Sequence, residues 1–204
     1  MATAVREVAP PPRTPEEPPR RDHGPEDRPW TPRSAVRLGI WLLVSAIAMF
    51  FVALTSALLA RRAGADWGGI AAPRVLWAST VAILGSSLFL EGARRSLRQG
   101  RFATFRRAFR ISALLGGTFL TCQLLAWRAL VSQGVYLSTN PHASYFYLLT
   151  AAHAAHLLGG LIWFGVLLGA AQRIRRLVDR VDDFALYWHF LALLWVYLFA
   201  VLFA

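Results

Sequence analysis

Three histidines lie inside long apolar stretches of this chain, where an imidazole could bind a metal or form a buried hydrogen bond. His153 and His156 share one stretch, three residues apart, and His189 lies in the next. Polar side chains are costly in hydrocarbon and are rarely without a role there. The favoured interpretation is that the imidazoles of His153 and His156 stay neutral and hydrogen-bond to another helix. The alternative is ligation of a metal or haem.

A haem would need two histidines on facing helices, and His156 with His189 is the candidate pair for a haem b. Because His153 and His156 lie on one helix, only one of them could bind such a haem, and the other imidazole would not be a ligand. No third helix contributes a histidine for a copper or di-haem site. No nucleophile and base pair, phosphate loop or zinc motif is present in the sequence. We therefore predict no catalytic centre, no metal site and no cofactor in this chain.

Few other charged side chains lie in the apolar stretches. Glu91 is followed by Arg94 and Arg95, a spacing that favours an interfacial ion pair over a buried carboxylate. Further along, Asp182 and Asp183 precede the last apolar stretch, and we expect one of them to cap its helix.

Small residues recur along the helix that carries the first two histidines. Gly160 continues the histidine face, and an adjoining stripe predicts close approach of another helix. The stripe consists of Ala151, Ala155 and Gly159, with Gly165 and Gly169 repeating the pattern further on.

The elements that position these residues are membrane-spanning helices. The chain has 204 residues, of which 56% are hydrophobic, and mean hydropathy is positive. About 20 helical residues cross a hydrocarbon core of roughly 30 Å. We predict an all-α, polytopic membrane helix bundle whose five transmembrane helices cover about 38–60, 75–93, 111–131, 143–171 and 184–204.

The charge distribution predicts the topology of the bundle. The net charge of +11 comes from 22 arginines, since the chain has no lysine. Most arginines outside the first 36 residues lie on the side of the N-terminus, the 94–110 segment and the 173–180 segment. The positive-inside rule places the N-terminus in the cytoplasm and the C-terminus outside. Because the excess charge flanks membrane helices, we expect a membrane location and no nucleic-acid partner.

The first 36 residues have a different composition. They hold nine of the eleven prolines, with six arginines balanced by six acids. Such a segment cannot bury enough apolar surface to fold alone. We predict that 1–36 is a disordered cytoplasmic tail with no cleaved targeting peptide, and that 37–204 is the transmembrane domain.

The polar motifs of the last two helices resemble those of subunit III of the haem-copper cytochrome c and quinol oxidases, in its short five-helix bacterial form. The specific matches are Thr150, His153, His156 and Gly160 in the fourth helix, and Tyr187, Trp188, His189, Phe190 and Trp195 in the fifth. Weaker matches are Ser86, Ser87, Glu91 and Ala93 in the second helix, and Leu115, Gly116, Phe119 and Gln123 in the third.

This resemblance implies a non-redox accessory subunit docked on subunit I, which carries the haems and copper, and associated with subunit II. It also implies bound phospholipid, a part in assembly and stability of the catalytic subunit, and structural roles for the polar residues His153, His156, His189, Glu91, Gln123, Tyr187 and Trp188. The alternatives are a subunit III-like accessory protein of nitric oxide reductase, and an independent haem b membrane cytochrome.

Three positions depart from the family pattern. Ala46, Ala126 and Ala192 stand where the family usually has carboxylic acids. Their absence argues against a direct proton-handling role and suggests a divergent branch of the family.

Overall fold

The computed structural model describes residues 32–64, 72–170 and 177–203. In these ranges the chain forms five helices: α1 (Pro32–Arg61), α2 (Val75–Arg98), α3 (Phe102–Ser132), α4 (Pro141–Ala170) and α5 (Leu177–Phe203). All five are long and apolar enough to cross a membrane. The prediction of an all-α bundle with five spanning helices is confirmed. The predicted disordered tail lies outside the described residues, apart from its last five.

Three helices extend past their predicted spans at the arginine-rich end of the bundle. Helix α2 continues to Arg98, α3 begins at Phe102, and α5 begins at Leu177. Their extra turns bury Leu97, Phe105, Phe109, Leu177 and Val181. A search for uninterrupted apolar residues misses these turns, because arginines and aspartates alternate there with the buried residues. Asp182 and Asp183 consequently lie inside α5, so the prediction that one of them caps the helix is wrong.

Helices α2 and α3 form a tight antiparallel hairpin. Gly100 has a φ of +72° in the short connection, a left-handed conformation that glycine adopts without strain. Further along the hairpin, the Ser86 hydroxyl donates to the Ser112 carbonyl (2.8 Å) and the Ser112 hydroxyl donates to the Ser86 carbonyl (2.7 Å). These reciprocal bonds between fully buried residues fix the register of the two helices.

Helix α5 is the centre of the bundle and contacts α1, α2 and α4. Helix α3 packs against α2 and runs antiparallel to α4: Trp127 is bonded to Thr150 near one end, and the Phe109 and Phe164 rings lie 4.6 Å apart near the other. In the described part of the chain, α1 contacts only α4 and α5. Helix α1 is therefore the peripheral element.

The indole of Trp188 joins four helices. It is fully buried, and its Nε1 donates to the Ser86 hydroxyl of α2 at 3.0 Å. A Cβ added to Gly116 of α3 would lie 2.7 Å from its Cζ2, and one added to Gly160 of α4 would lie 2.9 Å from its Cζ3. The indole of α5 thus fills a slot between two glycines.

Two further indoles cross between helices in the same manner. Trp195 of α5 donates to the Thr80 hydroxyl of α2 (2.9 Å), and Trp127 of α3 donates to the Thr150 hydroxyl of α4 (3.0 Å). A buried indole N–H needs an acceptor, and lipid offers none. The hydroxyls therefore determine where these rings can lie.

We predict that Gly160→Ala and Gly116→Ala destabilise the chain, because the added methyl group would collide with the rigid Trp188 ring. Overpacking of this kind costs about 1–3 kcal/mol, which outweighs the helix-propensity gain of about 1 kcal/mol. Thermal unfolding of the purified chain in mild detergent would measure the effect. Gly159→Ala and Gly117→Ala are the matched controls, since an added Cβ there meets nothing within 4 Å. Equal stability of the four variants would contradict the Trp188 slot.

Candidate functional site

His153 is completely buried at the centre of the bundle. Its ring lies among Phe51 of α1, Phe119 of α3 and Trp195 of α5, with centroid separations of 6.4, 5.6 and 5.4 Å. Neither ring nitrogen has a hydrogen-bond partner in the part of the chain that the structure describes. The expected bond from this imidazole to another helix is not formed.

His156 also does not bond across to another helix through its ring. Its Nδ1 donates to the Ala152 carbonyl, one turn back on α4, at 2.7 Å, and its ring packs 5.8 Å from that of Phe51. The cross-helix bond at this residue uses the backbone instead, since the Tyr187 hydroxyl donates to the His156 carbonyl at 2.9 Å. Tyr187 therefore tethers α5 to α4.

His189, unlike His153 and His156, bonds to another helix through its ring. Its Nδ1 is hydrogen-bonded to the Ser87 hydroxyl of α2. Its Nε2 lies 3.8 Å from a carboxylate oxygen of Glu91, also on α2. The imidazole thus lies between two polar groups that are one helical turn apart.

The two candidate haem ligands do not face each other. Tyr187 reaches toward α4, and His189, two residues later, points about 200° around the helix, toward α2. The His156 ring lies against α1. Within the described residues, no three His, Cys, Asp or Glu side chains are grouped to hold a metal. The arrangement does not fit a haem bound by His156 and His189.

A charged cluster joins α2 to α5 at the arginine-rich end. The Glu91 carboxylate accepts hydrogen bonds from Arg94 (2.8 and 3.0 Å) and Arg95 (2.9 Å). Asp182 accepts a bond from Arg98 at 2.7 Å and lies 3.7 Å from Arg94. Glu91 thus forms the interfacial ion pair that its spacing favoured, and Asp182 serves as an ion-pair partner instead of a helix cap.

A cleft opens beside this cluster, between α1 and α2, which do not touch in the described structure, with α5 behind it. Its volume is about 370 Å³. Its lining combines charged groups of both signs with an aromatic ring and the exposed side of one imidazole: Arg37, Trp41, Arg94, Arg98, Asp179, Asp182, Asp183, Ala185, Leu186 and His189. A group that carries both charges and an apolar tail matches this lining.

The small residues of α4 divide between two faces. Gly160 is buried against Trp188 and Tyr187, so it packs as expected. The stripe of Ala151, Ala155 and Gly159, with Gly165 and Gly169, lies on the exposed face. At the three glycines of that face, an added Cβ would meet nothing within 4 Å. The stripe is not used for packing within the described chain.

The three alanines at acid positions lie in different surroundings. Ala126 and Ala192 are buried, whereas Ala46 is exposed on α1. Gln123, one turn before Ala126, is also buried, and neither its amide nitrogen nor its oxygen has a partner among the described residues. Gln123 therefore lies in the core, one turn from Ala126.

Ser87, Thr80 and Asp182 contribute cross-helix bonds that sequence analysis did not assign. In the sequence, Ser87 and Thr80 are short hydroxyl residues in an apolar run, and Asp182 is an acid on a helical face. Neither feature identifies the partner residue on another helix. Packing of α2 against α5 decides each pairing.

These features define a class: a polytopic membrane bundle whose polar side chains mainly connect its helices to one another. No family model matches the chain. It is 29% identical to cytochrome c oxidase subunit 3 of Bacillus sp. (strain PS3) over 173 residues, which is 81% of this chain and 84% of the relative. It is also 29% identical to the probable quinol oxidase subunit 3 of Staphylococcus aureus (strain USA300) over 178 residues, 82% of this chain and 87% of the relative. The chain is therefore similar to oxidase subunit 3 proteins over about four fifths of its length.

We predict that Arg94→Gln destabilises the chain more than Arg95→Gln. Arg94 is 31% exposed and contacts both Glu91 and Asp182, whereas Arg95 is 72% exposed and contacts Glu91 alone. An exposed pair is worth about 0.2–1 kcal/mol, and the partly buried link between two helices should exceed it. Denaturant unfolding of each purified variant would measure the difference. Equal losses would mean that the α2–α5 charge link does not stabilise the bundle.

Proposed function

We propose that this chain is a non-redox accessory subunit of a haem-copper terminal oxidase of the cytochrome c or quinol type, and that it supports assembly and stability of the catalytic subunit. The observation that carries the proposal is similarity to oxidase subunit 3 proteins over about four fifths of the chain. The haems and copper would belong to subunit I, with subunit II as a further partner. Electron transfer and oxygen chemistry would then be properties of the complex.

The proposed location is the bacterial inner membrane, with the N-terminus in the cytoplasm and the C-terminus outside. This orientation puts the ion-paired end of α2 and α5, and the cleft next to it, on the cytoplasmic side. It agrees with the arginine distribution, since basic residues are retained on that side of membranes.

The exposed small-residue stripe of α4 is the proposed contact face for a helix of the partner complex. Small side chains allow the backbones of two membrane helices to approach closely. The stripe runs along one face of α4 from Ala151 to Gly169, and no helix within the described chain covers it. A partner helix that lies along it would fill the space that this chain leaves open.

The cleft between α1 and α2 is the proposed place for bound phospholipid. Arg37 and Arg94 could approach the phosphate, and Asp179 or Asp183 an amine of the head group, while Trp41 and Leu186 offer apolar contact. Arginine and carboxylate groups of opposite sign suit a zwitterionic head group better than a purely anionic one.

Purification of the tagged chain from its native membrane in mild detergent, with mass spectrometry of what accompanies it, tests the proposal. Recovery of an oxidase catalytic subunit in about equimolar amount would support it and identify the electron donor class. Recovery of a nitric oxide reductase subunit instead would show that the parent complex is a nitric oxide reductase. Recovery of the chain alone with bound haem would overturn the proposal in favour of a membrane cytochrome.

We predict that His153→Leu or His189→Leu lowers the yield of assembled complex more than the haem content per assembled complex. His189→Leu removes the hydrogen bond to Ser87. His153→Leu changes the packing against the aromatic rings that α1, α3 and α5 place around this residue. Pyridine haem quantification on the purified complex, set against the recovery of each subunit, separates the two effects. Normal yield with an altered haem spectrum would contradict the structural role of these histidines.

We predict that Gly159→Leu reduces recovery of the partner severalfold without lowering the melting temperature of the isolated chain. The isolated chain has nothing within 4 Å of that position, so the leucine would obstruct only a docked helix. Gly92→Leu on α2 is the matched control, since that glycine also lies in open space. If both variants retain the partner fully, the stripe is not the contact face.

A further inference from the structure

Two polar side chains in the core of the bundle have no partner in the described structure. Gln123 of α3 is 1% exposed and His153 of α4 is 0% exposed. Both ends of the amide and both ring nitrogens lack a hydrogen bond to any described residue. A buried polar group left in this state costs about 1–3 kcal/mol, and a bilayer supplies no bulk water to relieve it.

The alignment of α3 against α4 places the side chains of Gln123 and His153 at about the same level of the bundle. Trp127 of α3 is bonded to Thr150 of α4, and the Phe119 ring lies 5.6 Å from that of His153. Gln123 is midway between Trp127 and Phe119, one helical turn from each and on the same face. Because the two helices are antiparallel, these two contacts bracket Gln123 and place it near the level of His153.

We infer that Gln123 and His153 together hold one internal water molecule that bridges α3 and α4. The amide offers a carbonyl acceptor and N–H donors, and a neutral imidazole offers one donor and one acceptor. A single water has two hydrogens and two lone pairs, so it can satisfy a group on each side. Buried waters of this kind typically make about three hydrogen bonds to polar groups that would otherwise lack a partner.

The surroundings of the layer favour a small neutral ligand. Ala126, three residues after Gln123, and Thr150, three residues before His153, are small and fully buried. The imidazole also contacts the rings of Phe51, Phe119 and Trp195. Full burial excludes lipid and larger ligands, and the apolar surroundings disfavour an unpaired ion.

This bridge gives Gln123 and His153 a defined role within the chain, and it does not depend on which complex the chain joins. It forms a second polar connection between α3 and α4, one turn from the Trp127–Thr150 bond. Ala126, where the resemblance to oxidase subunit III would imply a carboxylic acid, lies one turn from Gln123. The bridge would therefore be formed by neutral groups, with no acid at that position.

Solid-state NMR on the full chain in lipid nanodiscs, with ¹⁵N-labelled histidine rings, tests the inference. Magnetisation transfer from water protons to the ring nitrogens reports imidazoles in contact with water. The His153 signal is assigned by its loss in His153→Phe, and His189, whose side chain is 34% exposed, is the positive control. We expect transfer to the His153 ring in the unmodified chain.

The variants distinguish a bridge from other sources of water contact. Gln123→Leu should abolish transfer to His153, whereas Gln123→Asn, which keeps the amide, should retain it. Gln133→Leu, at the exposed end of α3, is the matched control and should leave the signal unchanged. The inference is overturned by absence of transfer in the unmodified chain, by transfer that persists in Gln123→Leu, or by a direct amide-to-ring contact without water transfer. The first of these outcomes is read on the unmodified chain, and His153→Phe serves only to assign the signal.

Discussion

The fit of one indole into a slot between two glycines is the constraint on which this bundle depends. Trp188 is rigid and fully buried, and it needs an acceptor for its N–H. Glycine at positions 116 and 160 allows α3 and α4 to approach the ring from either side, and Ser86 of α2 accepts the hydrogen bond. The positions of four helices are thereby coupled to one side chain. The reciprocal serine bonds of the α2–α3 hairpin are coupled to it as well, because Ser86 takes part in both.

Hydrogen bonds between rigid donors and short hydroxyls recur through the rest of the core. Trp195 with Thr80, and Trp127 with Thr150, repeat the pattern at other levels of the bundle. Helix α1 is held differently. Its Thr55 hydroxyl shares a bond of 2.8 Å with the Tyr197 hydroxyl, and its Phe51 ring packs on His153 and His156 of α4. With fewer polar links and no contact with α2, α1 leaves a cleft at the arginine-rich end.

Much of the fold could be predicted from the sequence, because lipid allows few structures other than helices and each apolar run is long enough to span it. The ends of the helices were harder to predict, since Phe105 and Phe109 pack into the core from a segment dominated by arginines. The roles of the histidines could not be separated by spacing. His189 faces a serine, His156 turns back on its own helix, and His153 faces aromatic rings. Those differences come from the neighbouring helices, which a single-sequence pattern does not contain.

The state of the remaining carboxylates argues for a scaffold over a proton relay. A relay needs groups that can release and take up protons within the membrane. Glu91 is held by two guanidinium groups, and Asp182 is paired with Arg98. Ala126 and Ala192, the two core positions where the resemblance to oxidase subunit III would imply acids, carry none. Ion pairs at one end and neutral hydrogen bonds in the middle suit a subunit that holds its shape while other chains carry charge.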